Sequence, residues 1–176
     1  MNGQRRLKSR TAFTYVEMLV VLVLIGMLAG AAVVSLRGRT QTFALRTATK
    51  DLAAALRHAQ EEARLRQCPH RVVFSEDTSA YRVESAPHAD PADFTAARGR
   101  AGRMCPLPRG VHVAAVRVNG QEIDLDSVAL EFGPGGPLFS GHVRLVNDAG
   151  EVAWIEVVRG TGQIHVRETI EAEEAQ

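Results

Sequence analysis

Cysteine is scarce in this chain: Cys68 and Cys105 are the only two in 176 residues. Two are too few for a disulfide framework, and neither CxxC nor Cys/His metal-ligand spacing occurs. Aromatic residues make up 5% of the sequence, and none is interleaved among Arg98, Arg100, Arg103 and Arg109, where base stacking would need them. No G-x-S-x-G, H-E-x-x-H or Walker sequence is present. The six histidines, His58, His70, His88, His112, His142 and His165, are scattered. His112 and His165 fall in strand patterns, where histidine is more often structural than a ligand. Gly133 to Gly136 reads GPGG but lacks the Lys-Ser/Thr and following helix of a phosphate loop, so it reads as a turn. No catalytic residue, metal or cofactor is expected, and the chain is not expected to be an enzyme.

Charge of one sign is missing overall, since the formal net charge is +1. Arg5, Arg6, Lys8 and Arg10 nevertheless all precede Ala12. Without them the chain is acidic by about three charges, which gives no general attraction to nucleic acid. What the sequence does have is an apolar run with no charged residue from Met18 to Val34. Extended to Phe13–Leu36 it makes a helix of about 24 residues, roughly 36 Å, enough to span a bilayer. Cations in front of it predict a cytoplasmic N-terminus, with the rest of the chain on the far side. A cleaved secretory signal is the competing reading, because Ala29-Gly30-Ala31 fits its cleavage pattern. Its usual apolar region is shorter and contains no acid.

Glu17 is that acid. A carboxylate in hydrocarbon costs about 2.5–3.5 kcal/mol at the helix centre, less near an interface. It could reach back to the headgroups. If the chain were cut between Ala12 and Phe13, Glu17 would stand one turn from the new ammonium and in the first turn of a helix, where the dipole favours an acid.

A short basic leader followed by AFTYVE and MLVVLVLIGMLAG resembles the class III signal of type IV pilins and pseudopilins. That resemblance implies cleavage by a prepilin peptidase between Ala12 and Phe13, methylation of the Phe13 amine, and an assembly contact at Glu17. Ala12 departs from the usual glycine, implying slower processing. Gly26 and Gly30 form a GxxxG that permits close helix approach.

Beyond the run, Leu45, Ala48, Leu52, Leu56, Ala59 and Ala63 recur at helical steps, with Arg46, Lys50, Arg57, Glu61 and Arg64 on other faces. Cys68-Pro69 ends the pattern. The helix from about Phe13 to Arg66 would be about 80 Å long. RVVFSED and AYRVES then predict a hairpin about Asp77-Thr78, and VHVAAVRVNG, SVALEF, HVRLVND, EVAWIEVV and QIHVRE predict further strands. Turns fall at Asn147–Gly150 and Gly160–Gly162. EFGPGGPLF with the terminal VAWIEVVRGTGQIHV, about Val128 to Val166, is similar to the GspH/FimT type of minor pseudopilin.

The expected architecture is α+β with a pilin-like fold. A leader at 1–12 precedes a transmembrane half-helix at 13–36 and an amphipathic continuation at 37–68. The helix packs on an antiparallel sheet domain at 69–167, and an acidic tail occupies 168–176. Ser85 to Gly110 reads as a long exposed loop carrying Arg98, Arg100, Arg103 and Arg109. A solvated loop is favoured there over a phosphate-binding patch. In the oxidising compartment implied, a Cys68–Cys105 bridge is expected, closing about 36 residues and contributing roughly 3–4 kcal/mol.

The resemblance implies an inner-membrane, single-pass protein with a periplasmic domain. It would act in initiation or at the tip of a type II secretion pseudopilus. Its implied partners are the prepilin peptidase, other major and minor pseudopilins and an inner-membrane assembly platform. The alternative is a FimT-like minor pilin of a type IV pilus that binds DNA. Gln163 and His165 stand where arginines would favour DNA, and the mature charge is acidic, so nucleic acid is not the expected partner.

Overall fold

Helix α1 takes up Tyr15–Arg66. The computed structural model describes residues 15–87, 93–125 and 128–169, with side chains except those of 29–39, 168 and 169. Ala12 and Phe13, the leader, His88 and residues 170–176 of the tail lie outside the described residues. The chain divides into two units, Met1–Gly38 and Arg39–Gln176.

In the first unit α1 runs from Tyr15 without a proline to break it. Among the described residues no helix is long and apolar enough to cross a membrane. The side chains described there run from Tyr15 to Leu28, about 21 Å of helix at 1.5 Å per residue. The expected span at 13–36 extends past both ends of that stretch.

In the second unit α1 is amphipathic in the way its spacing requires. Leu45, Ala48, Leu52, Leu56, Ala59 and Ala63 are all buried, while Arg46, Lys50, Arg57, Glu61 and Arg64 are exposed. Each fully buried leucine contributes about 1.5–3 kcal/mol through area removed from water, and the alanines keep the helix close to what it packs on. Thr49 is buried because its Oγ1 donates to the Leu45 carbonyl at 2.7 Å. The helix stops two residues before Cys68. Gln67 turns left-handed at φ 52°, and its Nε2 donates to the Arg64 carbonyl at 2.7 Å, satisfying one of the last orphan acceptors.

Among the described residues the strands follow in the order β1 (His70–Phe74), β2 (Ala80–Ser85), β3 (Thr95–Ala96), β4 (Cys105–Pro106), β5 (Val111–Val118), β6 (Gln121–Ile123), β7 (Ala129–Gly133), β8 (Gly136–Pro137), β9 (Gly141–Asn147), β10 (Val152–Val158) and β11 (Gln163–Thr169). All pairings are antiparallel. The strands form two sheets rather than one. The first has the order β3-β2-β1-β7-β8, with β4 also on β2, and the second β11-β10-β9-β5-β6. Alternation in β9 and β10 sends Val143, Leu145, Ala153, Ile155 and Val157 inward. They join Val72, Val83 and Leu130 of the first sheet and the leucines of α1 in one core.

The turns expected from sequence form, and those at Asp77 and Asn147 have a polar organiser. Asp77 accepts from the Ser79 hydroxyl at 2.6 Å and the Ser79 amide at 3.2 Å. Hydrogen bonds from Ser75 and Ser79 hold its carboxyl down at about 2. Buried Asn147 accepts from the amides of Ala149 and Glu151 and donates to Glu151 at 2.7 Å. The other carboxylate oxygen of Glu151 accepts from Thr42 of α1 at 2.7 Å, which ties that turn to the helix. Further along α1, Arg57 donates to the Ile164 carbonyl of β11 at 2.9 Å.

Two expectations are corrected here. The segment after Ser85 is not a free loop. Its short strands pair with β2, and the Val83 amide and carbonyl bond Ala101 and Ala97 at 2.9 and 3.0 Å. Sequence periodicity misses this because two-residue strands carry no alternation. The Cys68–Cys105 bridge is also absent: both are free thiols, one buried and one half-buried. Cys105 pairs with Tyr81 near the start of β2, whereas the neighbour of Cys68, Pro69, bonds Ala86 just past its end. That is about 16 Å along a strand at about 3.3 Å per residue, well beyond the ~7 Å Cα separation a disulfide tolerates. Thiol labelling is therefore expected to find two reactive groups in denatured, unreduced protein, with Cys105 reacting first in the native state. No reactive group before reduction and two after it would restore the bridge.

Candidate assembly interface

Glu17 lies in the first turn of α1, exposed, and is followed by a helix surface that is apolar on every side. Val16, Met18, Leu19, Leu22, Leu24, Ile25 and Leu28 are all exposed, Leu22 and Leu28 at 71%. A helix that is hydrophobic all round belongs in lipid or in a bundle, and a continuous exposed apolar surface marks an interaction site. The two residues expected to meet the peptidase, Ala12 and Phe13, lie outside the described residues.

Arg98, Arg100, Arg103 and Arg109 are exposed, and none is in an ion pair among the described residues. They do not form one patch. Arg100 and Arg103 line a groove of about 650 Å³ with Asp51 and Ala54 of α1, Tyr81 of β2 and Met104. Burial, then the neighbouring Cys105 and Asp51, pushes the Tyr81 phenol up to about 12. Arg98 instead borders a cleft of about 400 Å³ beside His58, Glu62, Cys68 and His70. In that cleft Glu62 is bound to Arg66, which lowers the carboxyl and raises the guanidinium. Buried His70 turns its Nδ1 to the Cys68 carbonyl at 3.1 Å. Among the described residues no three His, Cys, Asp or Glu side chains are grouped to hold a metal.

The outer face of the second sheet carries a cluster that sequence reasoning missed. Trp154 has His142 edge-on at 5.9 Å and the Arg144 guanidinium at 5.7 Å. The alternation of HVRLVN and VAWIEV placed these residues on the outward rows, but only the register His142↔Glu156 and Arg144↔Trp154 shows that they meet. The GPGG segment is the β7–β8 turn, with Gly133 opposite Gly136 and Gly136 at φ 119°. Phe132 and Phe139 close it from inside, edge to face at 5.7 Å.

Comparison with curated proteins finds no match by sequence. Among solved structures, a crystal structure of the minor pseudopilin EpsH from the type II secretion system of Vibrio cholerae superposes with a TM-score of 0.57. It is 13% identical and covers 76% of this chain and 99% of that one. A second structure of EpsH gives a TM-score of 0.53 at 12% identity, covering 70% and 96%. At such identities the likeness is one of fold. The model of the family "Type II transport protein GspH" matches residues 48–162, from the amphipathic half of α1 through the β10–β11 turn. With well over half its length matched, the chain belongs to the GspH family.

Proposed function

We propose that this protein is a minor pseudopilin, a structural subunit of the periplasmic pseudopilus of a type II secretion system, acting in filament initiation or at the tip. The observation that carries this reading is the exposed, all-round apolar helix headed by Glu17, borne on a chain of the GspH family. The EpsH structures, described as those of a minor pseudopilin of such a system, support it. In this account residues 1–12 are a cytoplasmic leader. A prepilin peptidase cuts between Ala12 and Phe13, and the Phe13 amine is methylated. Residues 13–36 hold the chain in the inner membrane until assembly. The domain at 69–167 faces the periplasm, followed by the acidic tail at 168–176. Partners are the peptidase, other major and minor pseudopilins and the assembly platform.

The chemistry asked of Glu17 is neutralisation. A filament core built of apolar helices has no water to solvate an N-terminal ammonium, and a carboxylate from the same or an adjacent helix replaces that water. Catalysis has no part in it, and no cofactor is required.

Processing is the direct test. Intact mass and N-terminal sequencing of membrane-extracted protein are expected to show a chain beginning at Phe13 with one added methyl group. A chain beginning at Ala32 would establish a secretory signal and remove the filament reading.

A further inference from the structure

We infer that the groove between α1 and the Arg100–Met104 segment docks an acidic protrusion of a neighbouring protein subunit, seating a carboxylate between Arg100 and Arg103. The inference rests on the filament reading above, since a filament subunit must offer its flanks to neighbours.

Preorganisation is the first argument. The segment is fastened to β2 on both sides, by β3 at Glu84 and Ser85 and by β4 at Ala80 and Tyr81. Inside it the Arg103 amide donates to the Arg100 carbonyl at 3.1 Å. The two guanidiniums are thus carried on a held backbone and make no ion pair among the described residues, which leaves their forks for a bidentate acceptor.

Composition is the second. Arg100, Arg103, Tyr81 and Met104 line one groove, and arginine, tyrosine and methionine are the side chains enriched at protein interfaces. Met104 is 46% exposed, an apolar contact placed beside the charges.

Charge pattern decides the class of partner. Asp51 stands on the helix wall of the same groove. A nucleic acid strand, with a phosphate at every step, would set like charge against it. A protein surface can place one carboxylate on the arginine wall and a hydrogen-bond donor toward Asp51.

The test uses the full chain in cells that carry the intact secretion system, with p-benzoylphenylalanine in place of Met104. Irradiation is expected to give an adduct with another subunit of the same assembly. Arg100→Glu with Arg103→Glu should reduce that adduct at least about tenfold, in line with the cost of breaking a desolvated charge pair. Arg100→Lys with Arg103→Lys should retain part of it. The absence of an adduct, an adduct with nucleic acid, or an adduct unchanged by charge reversal overturns the proposal. Normal secretion by the charge-reversed chain alongside a defect in Glu17→Ala also overturns it, and leaves the filament reading standing. Normal secretion by both removes the filament reading and the groove with it.

Discussion

Gly141→Ala is expected to destabilise the second unit by about 3 kcal/mol or more, although it adds a single methyl group. Gly141 begins β9, between Val118 of β5 and Val157 of β10. A Cβ there would lie 2.0 Å from the Arg117 carbonyl oxygen and 3.2 Å from the Val118 Cα. Both obstacles are backbone, held by ladder bonds, so no rotamer change can relieve the overlap and the strands must part. Overpacking in a rigid site costs about 1–3 kcal/mol, occasionally more, and here the sheet register is at stake too. Gly135→Ala is the control. Nothing lies within 4 Å of its Cβ position, and the change is expected to stay within about 0.5 kcal/mol. Urea denaturation of the two variants measures the contrast, and equal midpoints would show that the strands tolerate the methyl.

Glu17→Ala is expected to abolish secretion while leaving membrane insertion and leader cleavage intact. Removing a charge eases insertion, and the helix gains a residue of higher propensity, so the monomer should accumulate. What is lost is the counter-charge for an ammonium entering an apolar bundle, where an uncompensated charge costs several kcal/mol. Cleavage is read by mass in the same cells that are scored for secretion, so a processing failure would not be mistaken for an assembly failure. Wild-type secretion by a fully processed Glu17→Ala chain would end the assembly role.

Much of the fold was legible because its signals are periodic. The helical stripe from Leu45 to Ala63 became the buried face of α1, and the alternating segments became β1, β2, β5, β7, β9, β10 and β11. The turns at Asp77, Asn147 and Gly133–Gly136 were marked by residue type, and hydrogen bonds to Asp77 and Asn147 show why two of those types suit the place. The division into two sheets was not legible, since alternation tells which side of a strand is apolar and nothing about which strand lies next to it. The same blindness produced the Cys68–Cys105 expectation: compartment and flanking prolines say nothing of a β2 strand standing between the two thiols. For the site, Glu17 and the arginines were identifiable by type. Their sorting into a groove with Asp51 and a separate cleft depended on β3 and β4, whose two residues each leave no pattern to read.

Arg57 has one further effect. β3 and β8 at the ends of the first sheet are two residues each, and β6 at one end of the second is three. Among the described residues β11, with seven residues, is the longest strand at the end of a sheet. Arg57 reaches its rim and occupies the Ile164 carbonyl, putting a charged side chain where an incoming amide would have to bind. Strand addition along this rim is thereby opposed at Ile164, where another chain would have to displace Arg57.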